Sequence, residues 1–202
     1  MYIPESIQAN EDYQACITFH GHTCMGVTIG YQAAKLAMKL LGEMRAVDEE
    51  LIVIVENDAC CCDAIQVLTG CTFGKGNFFY RDHGKMAFTF GSRTSGQGVR
   101  LLLKPTIFQI PEREKVLAEK IGAHQATVAE KQEYQQIYEA RGEEFFSGGP
   151  EAFFDVEHIE DMNLPPKAPR VPSLACYVCG EMVMQTKLTE VEGHLVCRGC
   201  LA

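Results

Sequence analysis

Apolar residues in the first third of the chain follow two spacings, one helical and one extended. From residue 26 to residue 41 they recur every three or four positions, which places Ile29 and Leu36 on one face of a predicted helix ending at Gly42. Residues 51–55 form an unbroken apolar run rich in β-branched side chains, as is typical of a strand buried on both faces. The pattern therefore predicts a helix followed by a central strand.

The residues on either side of these elements predict further local structure. The N-terminal segment predicts a turn at Pro4 and a short helix ending near Thr18. Asp63 is expected to cap a short helix that ends at Gly70. The aromatic-rich runs 77–80 and 85–90, separated by four polar or glycine residues, predict a β-hairpin.

The pattern in the middle of the chain completes an α+β domain. Further strands are predicted at 99–103 and 153–159, which makes about five. Between them, a charged amphipathic stretch from Pro111 to Arg141 predicts helix with a break near Gly122. We therefore expect residues 1–163 to form an α+β core domain, with a mixed sheet of about five strands flanked by helices.

A proline-rich linker and a cysteine-rich module follow the core domain. Residues 164–172 contain four prolines, which resist both helix and sheet and mark a semi-rigid linker. Residues 173–202 then contain two Cys-x-x-Cys pairs with seventeen residues between them. Each pair presents two thiolates from one turn, and four thiolates fill a tetrahedral coordination sphere, so a structural zinc finger is predicted. Two disulfides or a redox dithiol are the alternatives. The proposed zinc ligands are Cys176, Cys179, Cys197 and Cys200.

Composition narrows the class of protein. A net charge of -9 argues against a general nucleic-acid binder, because phosphate contacts need clustered Lys and Arg. The N-terminal residues do not resemble a signal peptide, and the apolar runs are too short to span a bilayer, so we expect a cytoplasmic protein with no membrane association. In that compartment the ten cysteines are interpreted as metal-binding or redox thiols rather than disulfides.

Two imidazoles and one thiol lie within five residues, at His20, His22 and Cys24. Side chains two positions apart point to opposite faces of an extended chain, so only a bend at Gly21 would bring the histidines together. Cys24 is predicted at the start of the following helix, where the helix dipole favours a thiolate. Imidazole and thiolate are ligands that Zn²⁺ prefers. The alternative is a loop with two solvated histidines and a buried cysteine.

Three motifs, His-Gly-His-x-Cys-x-Gly, Cys-x-x-Asp-Ala-Ile-Gln and Gly-Cys-Thr-x-Gly-Lys-Gly-Asn, occur in this order between residues 19 and 85. Together they resemble the FmdE family, which takes its name from formylmethanofuran dehydrogenase. The resemblance implies a thioredoxin-like core, a treble-clef-like finger, and an active site around His20, Cys60 and Cys71, with Asp63 close by. Cys61 and Cys62 depart from the small or apolar residues expected at their positions, and we favour buried packing over metal ligation for both.

The resemblance, taken with the residues above, defines the candidate core-domain site and its cofactor. The proposed metal ligands are His20, His22, Cys24, Cys60 and Cys71, and the catalytic candidates among them are His20 and Cys60. Zinc or another transition metal is the expected occupant, because some family members hold zinc there.

The resemblance also suggests the role of the protein. It implies a metal-binding accessory protein of a molybdenum or tungsten formylmethanofuran dehydrogenase, related to methanogenesis. Whether the chain has an activity of its own is open at this point. The alternatives are a thiol-based oxidoreductase and a regulatory adaptor that uses the zinc finger to contact protein. A homodimer is expected from the long helical stretch.

Overall fold

The computed structural model describes residues 5–147 and 149–201, so the turn expected at Pro4 lies outside the described residues. The chain divides into two compact units, and the second begins at Lys167, inside the proline-rich segment. Each unit is described by itself. Within the described ranges no helix combines the length and apolar character needed to cross a bilayer.

The first unit is built on a mixed five-stranded sheet. Its strands, in chain order, are β1 (Leu51–Val55), β2 (Phe78–Tyr80), β3 (Ala87–Ser92), β4 (Gly98–Leu103) and β5 (Phe154–Ile159). Their spatial order is β2-β1-β3-β4-β5. β1 pairs with β2 in parallel, and the other three pairings are antiparallel. All five residues of β1 are buried, as its apolar run predicts, and the α+β class is confirmed.

The hairpin predicted between residues 77 and 90 is wrong. β2 and β3 are both strands, but β1 lies between them and pairs with each. The connecting segment crosses the end of β1, where the amide of Arg81 donates to the carbonyl of Val55 and the amide of Lys85 donates to that of Glu56. A central apolar strand needs a hydrogen-bonded partner on both edges, and the two aromatic strands satisfy both edges of β1.

The described part of the first unit also contains α-helices. They are α1 (Glu5–Gln8), α2 (Glu11–His20), α3 (Met25–Leu41), α4 (Cys61–Thr69), α5 (Glu112–Gly122) and α6 (Val128–Ser147). α3 ends at Gly42, which adopts a left-handed φ of 65° as its cap. The break between α5 and α6 falls next to Gly122, as predicted. Short 3-10 helices occupy Pro105–Phe108 and Pro150–Ala152.

Close packing of α3 against α4 fixes where the candidate site forms. A Cβ atom on Gly30 would lie 2.1 Å from the carbonyl oxygen of Cys61, so the two helices approach as closely as only glycine allows. The apolar faces of α2, α3 and α4 share one core with the side chains of β1, β3 and β4. Phe88 and Leu101 are fully buried in this core. Burial of each such side chain contributes about 1.5–3 kcal/mol to the free energy of unfolding, relative to leaving it exposed. The N-termini of α3 and α4 are thereby held side by side.

The second unit consists of two small hairpins. β6 (Ser173–Ala175) pairs with β7 (Met182–Met184), and β8 (Leu188–Val191) pairs with β9 (His194–Cys197). Few of its side chains are buried, and Cys176 and Val196 are the apolar ones among the described residues that are. Such a small core supplies little folding free energy, so the unit needs another source of stability.

Candidate metal centres

His20 and His22 are brought together by a bend between them. His20 is the last residue of α2, two residues later than the predicted end of that helix, and Gly21 caps the helix with a left-handed φ of 93°. The two imidazole rings lie 4.5 Å apart, measured between centroids. The bend expected at Gly21 is confirmed. It places both rings on the same side of the chain.

Cys24 stands at the N-cap of α3, as its position in the sequence predicts. Its Sγ accepts a hydrogen bond from the amide of Val27 at 3.4 Å, and the positive end of the helix dipole favours negative charge on that sulfur. The same sulfur lies 3.8 Å from Nε2 of His20. The thiol therefore faces one nitrogen of the imidazole.

Asp63 engages the other nitrogen of that ring. Its Oδ2 lies 2.7 Å from Nδ1 of His20. A carboxylate only accepts hydrogen bonds, so this contact places a proton on Nδ1 and leaves Nε2 free to accept a proton or bind a metal when the ring is neutral. The expectation that Asp63 caps its helix is wrong, because the N-cap of α4 is Cys60 and it makes no side-chain cap. From the first turn of α4, the carboxylate reaches His20 instead of the backbone.

Three potential ligands of one metal ion result from this arrangement. The ligand atoms of His20, His22 and Cys24 all lie within 4.8 Å of one another. In a tetrahedral zinc site, bonds of about 2.0 Å to nitrogen and about 2.3 Å to sulfur place these atoms about 3.5 Å apart. The distance between His20 Nε2 and Cys24 Sγ is close to that value. A carboxylate on the remote nitrogen of a ligating histidine is also a common feature of such sites.

Cys60 borders this group without being part of it. It precedes α4, and a Cβ atom on Gly26 would lie 2.8 Å from the Cβ of Cys60, so α3 passes directly against this residue. Burial, and then the hydrogen bond with Cys24, raises the pKa of the Cys60 thiol. Cys60 is therefore a neighbour of the candidate ligand Cys24 and would add a second thiol beside the group.

Cys71 lies at the other end of α4. The nine residues of this helix, at about 1.5 Å each, separate the two ends by about 14 Å. Cys71 is fully buried, and this burial raises the pKa of its thiol to about 11. Its amide donates to the hydroxyl of Thr69. The structure therefore does not bring Cys71 to the histidines, although the sequence motifs place both in one candidate site.

Cys61 and Cys62 are held by Asn57. Sγ of Cys61 lies 3.2 Å from the side-chain oxygen of Asn57, and Sγ of Cys62 lies 3.3 Å from its backbone carbonyl oxygen. Both cysteines are buried. The side-chain Nδ2 of Asn57 also donates to the carbonyl of Lys85 at 2.7 Å, so Asn57 fixes the turn after β1. The sequence pattern did not single out Asn57, whose only signal was its position two residues after the end of β1.

The second unit brings its four cysteines together. The sulfurs of Cys176, Cys179, Cys197 and Cys200 all lie within 4.8 Å of one another. Cys179 and Cys197 are 4.0 Å apart, close to the separation of about 3.8 Å between sulfurs in a tetrahedral zinc–thiolate site. Amide hydrogen bonds from Cys179 and Cys197 lower the pKa of the Cys176 thiol to about 6. This cluster is able to bind a metal ion.

A comparison with protein families finds a match within the first unit. The family described as FmdE, molybdenum formylmethanofuran dehydrogenase operon, matches residues 19–155. The chain belongs to the FmdE family. The matched segment includes residues 20–24, which we call the histidine–cysteine loop, and both ends of α4, and it stops before the four-cysteine cluster.

Two individual proteins are similar to this FmdE-family chain. A crystal structure of a tungsten formylmethanofuran dehydrogenase FmdE-like protein from Syntrophus aciditrophicus matches with a TM-score of 0.61 and 25% identity, over 97% of this chain and 95% of that one. A probable S-adenosyl-L-methionine-binding protein from Archaeoglobus fulgidus is 30% identical over 179 residues. That alignment covers 85% of this chain, which spans about half the length of the relative (48%).

Proposed function

We propose that this chain is a metal-binding accessory protein of the FmdE family with two metal centres of different purpose. In the first unit, His20, His22 and Cys24 bind zinc or another transition metal. In the second unit, the four cysteines bind a structural zinc. The observation on which the proposal depends is the continuous contact from Asp63 through His20 to Cys24, with distances of 2.7 Å and 3.8 Å.

The donor set of the first centre fits a catalytic type of metal site. Two imidazoles and one thiolate leave a fourth position open, whereas four thiolates close the coordination sphere. A metal with an open position supplies a Lewis acid. In this chain His20 is held by Asp63, and Cys24 is held by the amide of Val27, so both would meet the metal with little rearrangement.

The His20 side chain is only 11% exposed, which limits the access of water to that side of the centre. Ligand exchange would therefore take place through His22, which is exposed, and through the open position. The first centre is thus suited to exchange a ligand or a metal, and the second to hold its metal permanently.

The accessory role rests on the comparisons. The family description names a molybdenum formylmethanofuran dehydrogenase operon, and the similar crystal structure is named after the tungsten enzyme. We therefore propose a molybdenum or tungsten oxidoreductase complex as the partner. Mixing the metal-loaded chain with a purified enzyme of this class should give a joint sedimenting species. Separate sedimentation at micromolar concentrations would argue against the partnership. Sedimentation of the chain alone tests the homodimer, which stays a prediction.

The metal centres are tested by elemental analysis of anaerobically purified protein. The wild type should contain about two metal ions per chain, and His20→Ala/Cys24→Ala should contain about one. The matched control is His158→Ala, since His158 lies exposed on β5. It should keep both metals. One metal in all three proteins would refute the first centre.

A thiol oxidoreductase is the second candidate, because Cys60 is the immediate neighbour of Cys24. In this reaction the two thiols would reduce a substrate disulfide to two thiols and would themselves form a disulfide, so that two electrons and two protons pass to the substrate. Mass spectrometry after treatment with oxidised glutathione distinguishes the candidates. In an oxidoreductase, a Cys24–Cys60 disulfide should form within minutes of adding glutathione. In a metal centre, the bound metal should protect the Cys24 thiol from this oxidation.

A further inference from the structure

A second concave site lies at the far end of α3 from the metal centre. A groove with a volume of about 720 Å³ opens between the C-terminal halves of α3 and α4 and the N-terminal half of α2. Lys39, on its wall, is fourteen residues beyond the start of α3, so the groove lies about 20 Å from the histidines along the helix axis. Its volume falls in the range that accommodates small organic ligands.

The floor of the groove is apolar. Met38, Val67 and Leu68 line it from α3 and α4, and Met44 joins them from the turn after α3. Met44 is 83% exposed, an unusual position for a large apolar side chain beside a concave surface. Methionines adapt their shape to irregular ligands, and this floor would take an apolar body without a fixed outline.

The rim of the groove carries three cations in a protein whose net charge is -9. Lys35 pairs with Asp12 at 2.8 Å and Lys39 pairs with Glu151 at 2.7 Å. Both pairs are exposed, and such pairs contribute only about 0–1 kcal/mol, so an incoming anion can compete for either lysine.

Arg45 is the cation of this rim best placed to receive an anion. Its Nε donates to the carbonyl of Val67 at 2.9 Å, which holds the guanidinium beside the apolar floor. Within the described ranges it pairs with no carboxylate. The two acids of the lining have other partners: Asp12 pairs with Lys35, and Glu43 accepts a hydrogen bond from the hydroxyl of Ser92 at 2.5 Å. A guanidinium with free terminal nitrogens matches a carboxylate, phosphate or sulfonate.

We propose that this groove binds a small organic anion with an apolar body, whose acidic group meets Arg45 and whose body covers Met38, Met44 and Val67. The metal centre and the FmdE family assignment do not require such a site. It is separate from the histidine–cysteine loop but shares the rigid helix α3 with it.

The dye 8-anilinonaphthalene-1-sulfonate has this chemistry and tests the proposal in the full metal-loaded chain. Its fluorescence should rise with saturable, single-site binding. Arg45→Glu should weaken the dye affinity at least tenfold, whereas Arg81→Glu, the same charge reversal in an exposed loop, should change it less than twofold. The uncharged analogue N-phenyl-1-naphthylamine should bind at least tenfold more weakly than the sulfonate.

Lys39→Glu is a second charge reversal in the groove, which keeps the test valid if Arg45→Glu does not fold. This variant loses only the exposed ion pair of Lys39 with Glu151 and should fold normally. It should weaken the dye affinity at least threefold while the metal content stays at the wild-type value. Equal dye affinity in the wild type, Arg45→Glu and Lys39→Glu would overturn the proposal, and so would equal affinity for the charged and uncharged dyes. Neither result would affect the proposed metal centres, since metal content is measured separately.

Discussion

Replacing Asp63 by Asn isolates the contact on which the first metal centre depends. The substitution keeps the size of the side chain, removes its charge, and weakens the hydrogen bond that Oδ2 accepts from His20 Nδ1 at 2.7 Å. With a neutral partner, the imidazole is less basic at Nε2 and less firmly oriented toward Cys24. We expect the metal affinity of the first centre to fall while the affinity of the four-cysteine centre stays unchanged.

The magnitude follows from the surroundings of the pair. The side chains of His20 and Asp63 are 11% and 36% exposed, so the contact is neither fully screened nor fully buried. Loss of such a partner of a ligating histidine weakens metal binding about 10- to 100-fold. This loss corresponds to about 1.4–2.7 kcal/mol, within the range of hydrogen bonds to charged groups.

Anaerobic titration with a competing zinc chelator measures the two affinities separately, because the four-thiolate centre should bind more tightly. Asp12→Asn is the matched control, since Asp12 forms an exposed ion pair with Lys35 on the same layer of helices. This control should leave both metal affinities unchanged. The reasoning is refuted if Asp63→Asn binds metal in the first centre as tightly as the wild type, provided that thermal unfolding shows both proteins to be folded.

Three further predictions concern packing, thiol reactivity and the second unit. Gly30→Ala should destabilise the first unit by about 3 kcal/mol or more in chemical denaturation, because its Cβ would overlap a backbone oxygen at 2.1 Å. Gly122→Ala, which meets nothing within 4 Å, should be neutral or slightly stabilising, and equal effects would contradict the packing. Burial raises the pKa of Cys16 to about 12 and that of Cys71 to about 11, so at pH 8 both are protonated and should resist iodoacetamide in the native protein. Their thiolates should form only as the pH rises toward those values, and rapid alkylation of Cys71 at pH 8 would contradict its burial. Chelation of the four-cysteine metal should unfold the second unit while the near-ultraviolet signal of the first stays unchanged, whereas a chelator-resistant second unit would show that it folds without metal.

The sequence predicts those elements that depend on local residue patterns. Helix α3 follows from its apolar spacing and ends at Gly42 as expected, since both features are properties of a short segment. The buried strand β1 follows equally well from its apolar run. The pairing of β2 with β1 is not, because a strand pattern specifies an extended segment without specifying which edge it joins. The hairpin prediction failed for this reason.

The candidate site was predictable in part for similar reasons. His20, His22 and Cys24 are neighbours in the chain, so a single bend is enough to gather them. Asp63 reaches His20 because α4 packs against both α2 and α3, a tertiary arrangement with no local signal. Two chemical uses compete for a carboxylate in the first turn of a helix, capping and side-chain pairing, and sequence alone favours the commoner one. Cys71 shows the opposite case, in which motifs close in the sequence are separated by the length of a helix.

Anomalous X-ray diffraction at the zinc edge, from crystals of the anaerobically purified chain, tests the central claim most directly. We expect two anomalous peaks per chain. One should lie among the four cysteines, and the other should lie about 2.0 Å from His20 Nε2 and about 2.3 Å from Cys24 Sγ. If crystals of a chain containing two metals showed no peak at the histidine–cysteine loop, the first metal centre would be contradicted.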